Sequence, residues 1–288
     1  MRTHFFSVRA AALLLVFAAL LSLGGCTASQ GPKLRPLNVS LLRVGKADAI
    51  AVLSGSHALL IDAGEEDDGQ EVAEFLEKQA VRSLDAIIIT HFDQDHVGGA
   101  DTILERFPVQ NIYVPAYDGT HPEYLEFLRS AEQASVPLHR LTEPLTFPFA
   151  DAQVLIEPPA SYEIPAGSVD FDNNFSLITT ITHGQNRLVF MGDAEKPRIR
   201  EWLSSGSAAP CAFLKVPHHG IYNGALEELF EALHPSVSVI CDSRKHPASE
   251  KTLTLLHRFC PQILETKDGN ILVLSDGVRL EARQKIKP

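Results

Sequence analysis

His91, Asp93, Asp95 and His96 put four potential metal ligands into six positions, within the run Thr90-His91-Phe92-Asp93-Gln94-Asp95-His96-Val97-Gly98-Gly99. Imidazole nitrogen and carboxylate oxygen are donors that divalent zinc, manganese and iron accept. A tight turn can direct alternate side chains to two neighbouring ions, and Gly98 and Gly99 would let the backbone pass close beneath them before a helix begins. Further along, Asp193 follows Gly192, and His218 and His219 stand together after Pro217. Each group follows a stretch that reads as a strand, so rigid elements would aim these loops at one spot. Because His218 and His219 are adjacent, only one is expected to bind metal. His218 directly ends its strand and is the better placed, which leaves His219 to orient the loop or touch substrate. His246 precedes Pro247 beyond another strand end and is a candidate to donate a proton or contact an anionic group. Asp62, inside an apolar strand, reads as a carboxylate that fixes a ligand histidine rather than as a ligand. Asp95, His219 and His246 are thus the candidates for direct participation in the reaction. The remaining histidines, His121 among them, lie in ordinary surface or loop contexts and receive no role.

The elements that must position these residues alternate between strand and helix. Three short β-rich runs, 38–44, 49–53 and 58–61, suggest an antiparallel start. A helix is expected from Val72, Phe75 and Leu76, which share one face behind the acidic turn 65–68. The apolar, β-branched run 84–90 then reads as a buried strand that ends at the first histidines. A strand at 112–114 precedes a helix at 122–134 with proline in its first turn and Tyr124, Leu125, Leu128 and Ala131 toward the core. A hairpin fits 176–182 and 187–191. It leads to a helix at 196–203, a strand at 212–216 and a helix on which Leu226, Leu229, Phe230 and Leu233 keep helical spacing. The tail adds a strand at 236–241, a helix at 250–259 and a hairpin around Asp268, Gly269 and Asn270. Two halves that each supply strands followed by helices suit an α/β fold of two packed sheets with helices outside, a four-layer αββα sandwich.

The N-terminal residues carry an address. Arg2 and Arg9 precede an uncharged apolar run, 10–23, that is short for a spanning helix and ends in Gly24-Gly25-Cys26. Residues 1–25 read as a signal peptide. Small residues before a cysteine resemble the lipobox of bacterial lipoproteins, which implies cleavage before Cys26, its lipidation, and attachment to the outer face of the cell membrane or within a periplasm. An uncleaved anchor helix is the alternative, and either reading exports the body. Residues 26–37 read as a flexible tether, and 38–288 as one α/β domain. Removing residues 1–25 takes the formal charge from −11 to −13. No basic stripe of the kind that holds long nucleic acid is visible. Bound divalent cations could supply the missing positive charge locally, so acidity does not exclude a phosphodiester. Cys211, Cys241 and Cys260 lack Cys-x-x-Cys spacing and read as small buried side chains, although export would permit one disulfide.

The ligand-rich run resembles the signature of the metallo-β-lactamase superfamily, His-x-His-x-Asp-His, with Asp93 in place of the second histidine. That variant is similar to the nuclease-like domain of ComEC-type competence proteins, which reads His-x-Asp-x-Asp-His. Other landmarks of that branch follow in order: Leu60 to Gly64, Asn173 to Leu177, Met191 to Asp193, Leu214 to Gly220, and His246-Pro247. The resemblance implies the αββα fold and two divalent ions, Zn2+ or Mn2+. His91 and Asp93 would hold the first ion and Asp95 and His96 the second, with Asp193 bridging both and His218 completing the second site. Where the superfamily usually supplies a further histidine to the first ion, this chain offers Asn173 and Asn174, of which Asn174 would support the site from behind. An oxygen-rich first site makes manganese a competitor of zinc.

Two ions about 3.5–4 Å apart lower the pKa of a shared water toward neutrality and so generate hydroxide without a side-chain base. The leading expectation is a phosphodiesterase or nuclease-like enzyme whose substrate is a phosphodiester, nucleic acid included. A phosphocholine or other ester hydrolase of the same fold is an alternative, and a non-catalytic binding lipoprotein that retains the fold is another. No protein partner is evident.

Overall fold

The computed structural model describes residues 34–163 and 171–286. Cys26, the apolar run before it and residues 26–33 of the tether lie outside the described residues. No helix among the described residues is long and apolar enough to cross a membrane.

In the first half, strands β1 (Leu37–Leu41), β2 (Ala49–Ser54) and β3 (His57–Ala63) form an antiparallel meander. A short 3-10 turn at Glu66–Asp68 leads into α1 (Gly69–Lys78). Parallel strands β4 (Ala86–Ile88), β5 (Ile112–Pro115) and β6 (Leu138–Leu141) follow, separated by α2 (Gln94–Val97), α3 (Ala100–Arg106) and α4 (Pro122–Gln133). The second half opens with an antiparallel run, β7 (Leu145–Phe149), β8 (Ala152–Glu157), β9 (Ile178–His183) and β10 (Asn186–Phe190). It then turns parallel through α5 (Lys196–Ser204), β11 (Phe213–Lys215), α6 (Leu226–Leu233), β12 (Val237–Ile240), α7 (Glu250–Leu256) and β13 (Gln262–Glu265). The chain finally returns to the first sheet as β14 (Gly269–Ser275) and β15 (Leu280–Ile286). Among the described residues this makes one sheet ordered β15-β14-β1-β2-β3-β4-β5-β6 and another ordered β13-β12-β11-β10-β9-β8-β7.

The layering follows from strand alternation, which sends successive side chains to opposite faces. On β3, Leu59 and Ile61 enter an apolar cluster between the sheets, where they join Val39, Phe190, Phe213 and Val239. Ala58 and Leu60 enter a second cluster under the first-half helices, with Val72, Ile103 and Phe127. A third cluster joins Val189 and Leu214 to Trp202, Leu226, Phe230 and Leu256 of the second-half helices. Three apolar seams between helix, sheet, sheet and helix are the αββα sandwich, and each fully buried leucine or phenylalanine in them contributes about 2 kcal/mol.

Several local expectations change. β6, β7 and β8 have no counterpart in the sequence reading: β6 is short and half-exposed, and β7 alternates Leu145, Phe147 and Phe149 but contains Pro148, which argues against a strand away from a sheet edge. Leu125 of α4 is 54% exposed, and Phe127 takes the core position instead. The Asp268-Gly269-Asn270 signal is no hairpin; it marks the crossing from β13 in one sheet to β14 in the other, and the hairpin turns at residues 276–279. Gly98 and Gly99 make their close approach to the turn after β3. A Cβ on Gly99 would lie 2.4 Å from the Ala63 carbonyl oxygen, and one on Gly98 2.5 Å from the Glu66 nitrogen. The two glycines thereby press the ligand loop against the end of β3.

Candidate metal centre

The ends of β3, β4, β10 and β11 converge, and each delivers a side chain to one place. From the first sheet, Asp62 adopts a left-handed backbone (φ 57°) near the end of β3. Its Oδ1 accepts the Thr90 backbone N–H at 2.7 Å and its Oδ2 accepts the Thr90 hydroxyl at 2.7 Å. The same Oδ2 lies 2.8 Å from Nδ1 of His96, which α2 carries into the interior. A carboxylate acceptor on Nδ1 places the proton there and leaves Nε2 with a free lone pair. That Nε2 stands 3.3 Å from Asp193 Oδ1. From the second sheet, Asp193 follows β10 and is held by its N–H, which donates to Ser176 Oγ at 3.2 Å. His219 directs Nδ1 at the Cys241 carbonyl, 2.8 Å away, and its Nε2 lies 3.0 Å from Asp193 Oδ2 and 3.3 Å from Asp95 Oδ2. Asp95, His96, Asp193 and His219 each offer a donor atom, all within 4.8 Å of one another.

The charges in this space do not balance without cations. Asp48, on the loop before β2, and Asp62 are buried beside Asp95 and Asp193, and Lys215 is the buried ammonium among these four carboxylates. Lys215 pairs with Asp48, donates to the Gly192 carbonyl at 3.0 Å and lies 3.4 Å from Asp193 Oδ1. Burial would drive Lys215 to lose its proton, but the charges of Asp48 and Asp193 overcome this and hold it protonated. Burial likewise opposes ionisation of Asp193, yet His219, His96 and Lys215 keep its carboxyl well below the ordinary range. The imidazoles respond in turn. Desolvation pulls His219 down, but the Asp193 charge and hydrogen bonds to Asp193 and Asp95 push it up to about 9. His96 is raised by Asp193 and Asp62 against the same desolvation.

These features fit divalent cations. Nε2 of His219, His96 and His91 meets only carboxylate oxygens, at 3.0, 3.3 and 3.6 Å, and Asp48 Oδ1 is buried with no hydrogen-bond partner. Orphaned buried donors and acceptors are costly unless something else binds them, and a cluster with excess negative charge and free imidazole lone pairs is suited to a metal. In the protein without metal, protons on His96 and His219 fill that role. Asp95, His96, Asp193 and His219 would hold one ion, with Asp62 and the Cys241 carbonyl fixing the two rings.

The sequence-derived candidates fall as follows. His91 is fully buried, with Nδ1 3.1 Å from the Thr90 hydroxyl and Nε2 3.6 Å from Asp93 Oδ2. Desolvation works against the Asp93 charge, but His91 holds its carboxyl below the ordinary range. His218 was expected in the cluster, and the backbone places His219 there instead. Both residues and Gly220 take positive φ (48°, 49° and 74°), and this left-handed turn after Pro217 swings the second ring inward and the first outward. His218 is left with Nε2 4.0 Å from Asp193 Oδ2 and Nδ1 3.4 Å from Glu195. Asn174 stands away from the ligand cluster: its Oδ1 accepts the Arg198 N–H at 3.4 Å, and its side chain bonds Glu195. His246 is exposed at the cleft mouth rather than in the cluster. Asp48 went unnoticed and Lys215, within the landmark Leu214 to Gly220, was given no role, although a charge inside an apolar run, between Ala47 and Ala49 or within Phe213 to Val216, was a usable signal. It also gave no role to His121 and Asp172, which group with Asp93 within 4.8 Å. Burial and the Asp93 charge raise the Asp172 carboxyl to about 6. Cys211, Cys241 and Cys260 are buried free thiols.

Above the cluster lies a cleft of about 490 Å³ lined by Lys46, His121, Lys245 and His246 on one hand and by Glu65, Asp93 and Asp95 on the other. Lys46 Nζ stands 3.4 Å from Asp95 Oδ2.

Residues 42–241 match the family model of the metallo-beta-lactamase superfamily. The chain is 28% identical over 201 residues to ComE operon protein 3 of Bacillus subtilis, covering 69% of this chain and 25% of that protein. It is 25% identical over 262 residues to Recombination protein 2 of Haemophilus influenzae, covering 87% of this chain and 31% of that one. The chain thus spans between a quarter and a third of the length of these relatives. Among solved structures, Zn(2+)-bound PqqB from Methylobacterium extorquens superposes with a TM-score of 0.51 at 15% identity, covering 76% of this chain and 85% of that one.

Proposed function

The chain belongs to the metallo-β-lactamase superfamily, and from that premise we propose that it is an exported, metal-dependent phosphodiesterase whose substrates include nucleic acid. The observation that carries the reading is the cleft: in a chain of net charge −11, the ammonium groups of Lys46 and Lys245 line the opening above Asp95 and its partners. Cations at the mouth of an acidic, metal-ready floor suit a substrate that is itself an anion.

When bound, divalent ions supply an activated water at neutral pH and neutralise charge on the attacked group. The protein's own part is positional. Asp62 and the Cys241 carbonyl fix the tautomers of His96 and His219, so both Nε2 atoms face Asp193. Lys215 restrains Asp193 Oδ1 from below. Lys46 and Lys245 attract the phosphodiester, and His246 at the cleft mouth is placed to contact its oxygens or protonate the leaving group. A phosphocholine substrate is less well supported. Tyr117, Tyr124, Tyr162 and Phe175 bind a cation best as an open cage, but here Tyr117 and Phe175 are buried and the rings pack on one another and on Phe92.

Purified protein incubated with Mn2+ or Zn2+ and offered single-stranded DNA, bis-p-nitrophenyl phosphate and nitrocefin tests the reading. Hydrolysis of either phosphodiester is expected, and turnover of nitrocefin alone would overturn it. Fewer than one bound ion per chain with no hydrolysis would favour a binding protein that retains the fold. Lipidation is part of the same proposal: labelled fatty acid should enter the wild-type chain and not the Cys26→Ala variant, whereas equal labelling would remove the anchor.

A further inference from the structure

We propose that the first metal position is completed by His121 and Asp172, so that His91, Asp93, His121 and Asp172 form an outer site beside the buried one. The inference rests on the metal-dependent reading above and adds two ligands to it. Asp93 stands between two imidazoles, with Oδ2 3.6 Å from His91 Nε2 and Oδ1 4.0 Å from His121 Nε2. Asp93, His121 and Asp172 each offer a donor atom, all within 4.8 Å of one another. Two of the four side chains carry orphaned atoms. His91 is fully buried and its Nε2 has no hydrogen-bond partner; Asp172 is 7% exposed and its Oδ1 has none. Asp93 and Asp172 therefore lie side by side in a partly dry space, and among the described residues no ammonium or guanidinium lies within 4.0 Å of either carboxylate. A cation between them relieves that repulsion and binds the free lone pairs.

Three separate elements make the arrangement. His91 and Asp93 come from the loop after β4, His121 is the residue before Pro122 at the start of α4, and Asp172 opens the 3-10 turn Asp172–Phe175. The neighbouring Asn173 and Asn174 turn to Glu195 instead, so they leave the outer site to Asp172. Two imidazoles and two carboxylates are a mixed nitrogen and oxygen set that accepts both Mn2+ and Zn2+. The His121 side chain is 43% exposed, whereas His96 and Asp193 of the inner site are buried. The outer ion is consequently the exchangeable one, and it lies on the cleft side where substrate enters.

The test is a Mn2+ titration of the purified full chain after chelation, with bound metal counted by equilibrium dialysis and elemental analysis and with electron paramagnetic resonance recorded at each step. The wild type should take up two ions in two steps of different affinity. His121→Ala and Asp172→Asn should each weaken the second step by at least about 10-fold while leaving one tight ion per chain. Circular dichroism checks the fold, and His121→Gln is a second variant that keeps bulk at the exposed position. Two ions at wild-type affinity in all three variants would overturn the inference and leave the metal-dependent reading intact. Less than one ion in the wild type would overturn both.

Discussion

His219 aims Nδ1 at the Cys241 carbonyl, 2.8 Å away, so the nitrogen that meets Asp193, 3.0 Å off, is Nε2. That orientation, set by a left-handed turn at His218 and His219, makes the two adjacent histidines unequal. His219→Ala should cost the inner ion at least about 100-fold in affinity, a loss of the size that follows removal of groups even behind a ligand. His218→Ala should change it by less than about 3-fold, since that ring bonds Glu195 at the edge of the cluster. Isothermal titration with Zn2+ on the two variants decides; equal losses would show that both rings ligate.

Asp62 would act on a bound metal through His96 rather than by touching it. Its Oδ2 holds Nδ1 at 2.8 Å, and its Oδ1 satisfies the Thr90 N–H. Asp62→Asn can keep the Thr90 contact but cannot accept the imidazole proton with the same strength. Metal affinity should fall about 10- to 100-fold with the fold unchanged, a magnitude typical of residues behind a ligand histidine. Unchanged affinity in a folded Asp62→Asn protein would refute the positioning role.

Lys215 is fully buried between Asp48 and Asp193, and neither of its partners reaches solvent. Replacing it with Met removes the ammonium, strands Asp48 and takes from Asp193 one of the three cations that hold its charge, so the chelated protein should lose about 3–5 kcal/mol of stability. Combining Lys215→Met with Asp48→Asn should recover a large part of that loss, because the stranded charge is removed with its partner. Urea unfolding of the single and double variants measures both values. A purely additive result would mean that the pair is not the coupling it is drawn to be.

A metal held by His219 would compete with the proton at the same nitrogen, which fixes the sign of the pH dependence. In the chelated protein the His219 imidazole is raised from 6.5 to about 9, the Asp193 charge outweighing desolvation. A raised imidazole stabilises the fold fully below about 6.5 and loses that contribution as pH climbs through 9. The melting temperature of the chelated protein should therefore fall between these values, and His219→Gln should flatten the curve. Metal affinity must move the opposite way and rise over the same interval, because the ion displaces the proton. A melting temperature that rises from pH 6.5 to 9 without metal would contradict the assignment.

The sandwich was legible because its long strands and amphipathic helices carry strong periodicity: β3, β10, α1 and α6 fall close to where the apolar spacing puts them. The edge strand β6 was not legible, since its residues bury too little to be patterned, and in β7 Pro148 masks the alternation of Leu145, Phe147 and Phe149. The candidate metal centre was partly legible in the same way. His91, Asp93, Asp95 and His96 announce themselves by density, whereas the turn that selects His219 is a matter of backbone torsion that residue types do not encode. His121 and Asp172 lie in polar loop stretches away from the ligand-rich run, with no motif to single them out. Such residues become visible only when the fold brings them beside partners.

Lys245 and Lys46 divide the cleft's cationic work unequally. Lys245 is exposed and lines the cleft, while Lys46 lies 3.4 Å from Asp95 and is only partly exposed. A surface cation that attracts substrate and transition state alike contributes uniform binding, so Lys245→Ala should raise KM for a phosphodiester about 5-fold with kcat nearly unchanged. Its effect should shrink as ionic strength rises and screens the exposed charge. Lys46→Ala also removes a neighbour of Asp95, a residue of the inner cluster, so its cost should appear in kcat as well as in KM and should survive at high salt better than that of Lys245→Ala. Steady-state kinetics on bis-p-nitrophenyl phosphate at low and high salt separate the two patterns. If neither variant changes KM, the cations at the cleft do not meet the substrate, and the anionic substrate class loses its main support.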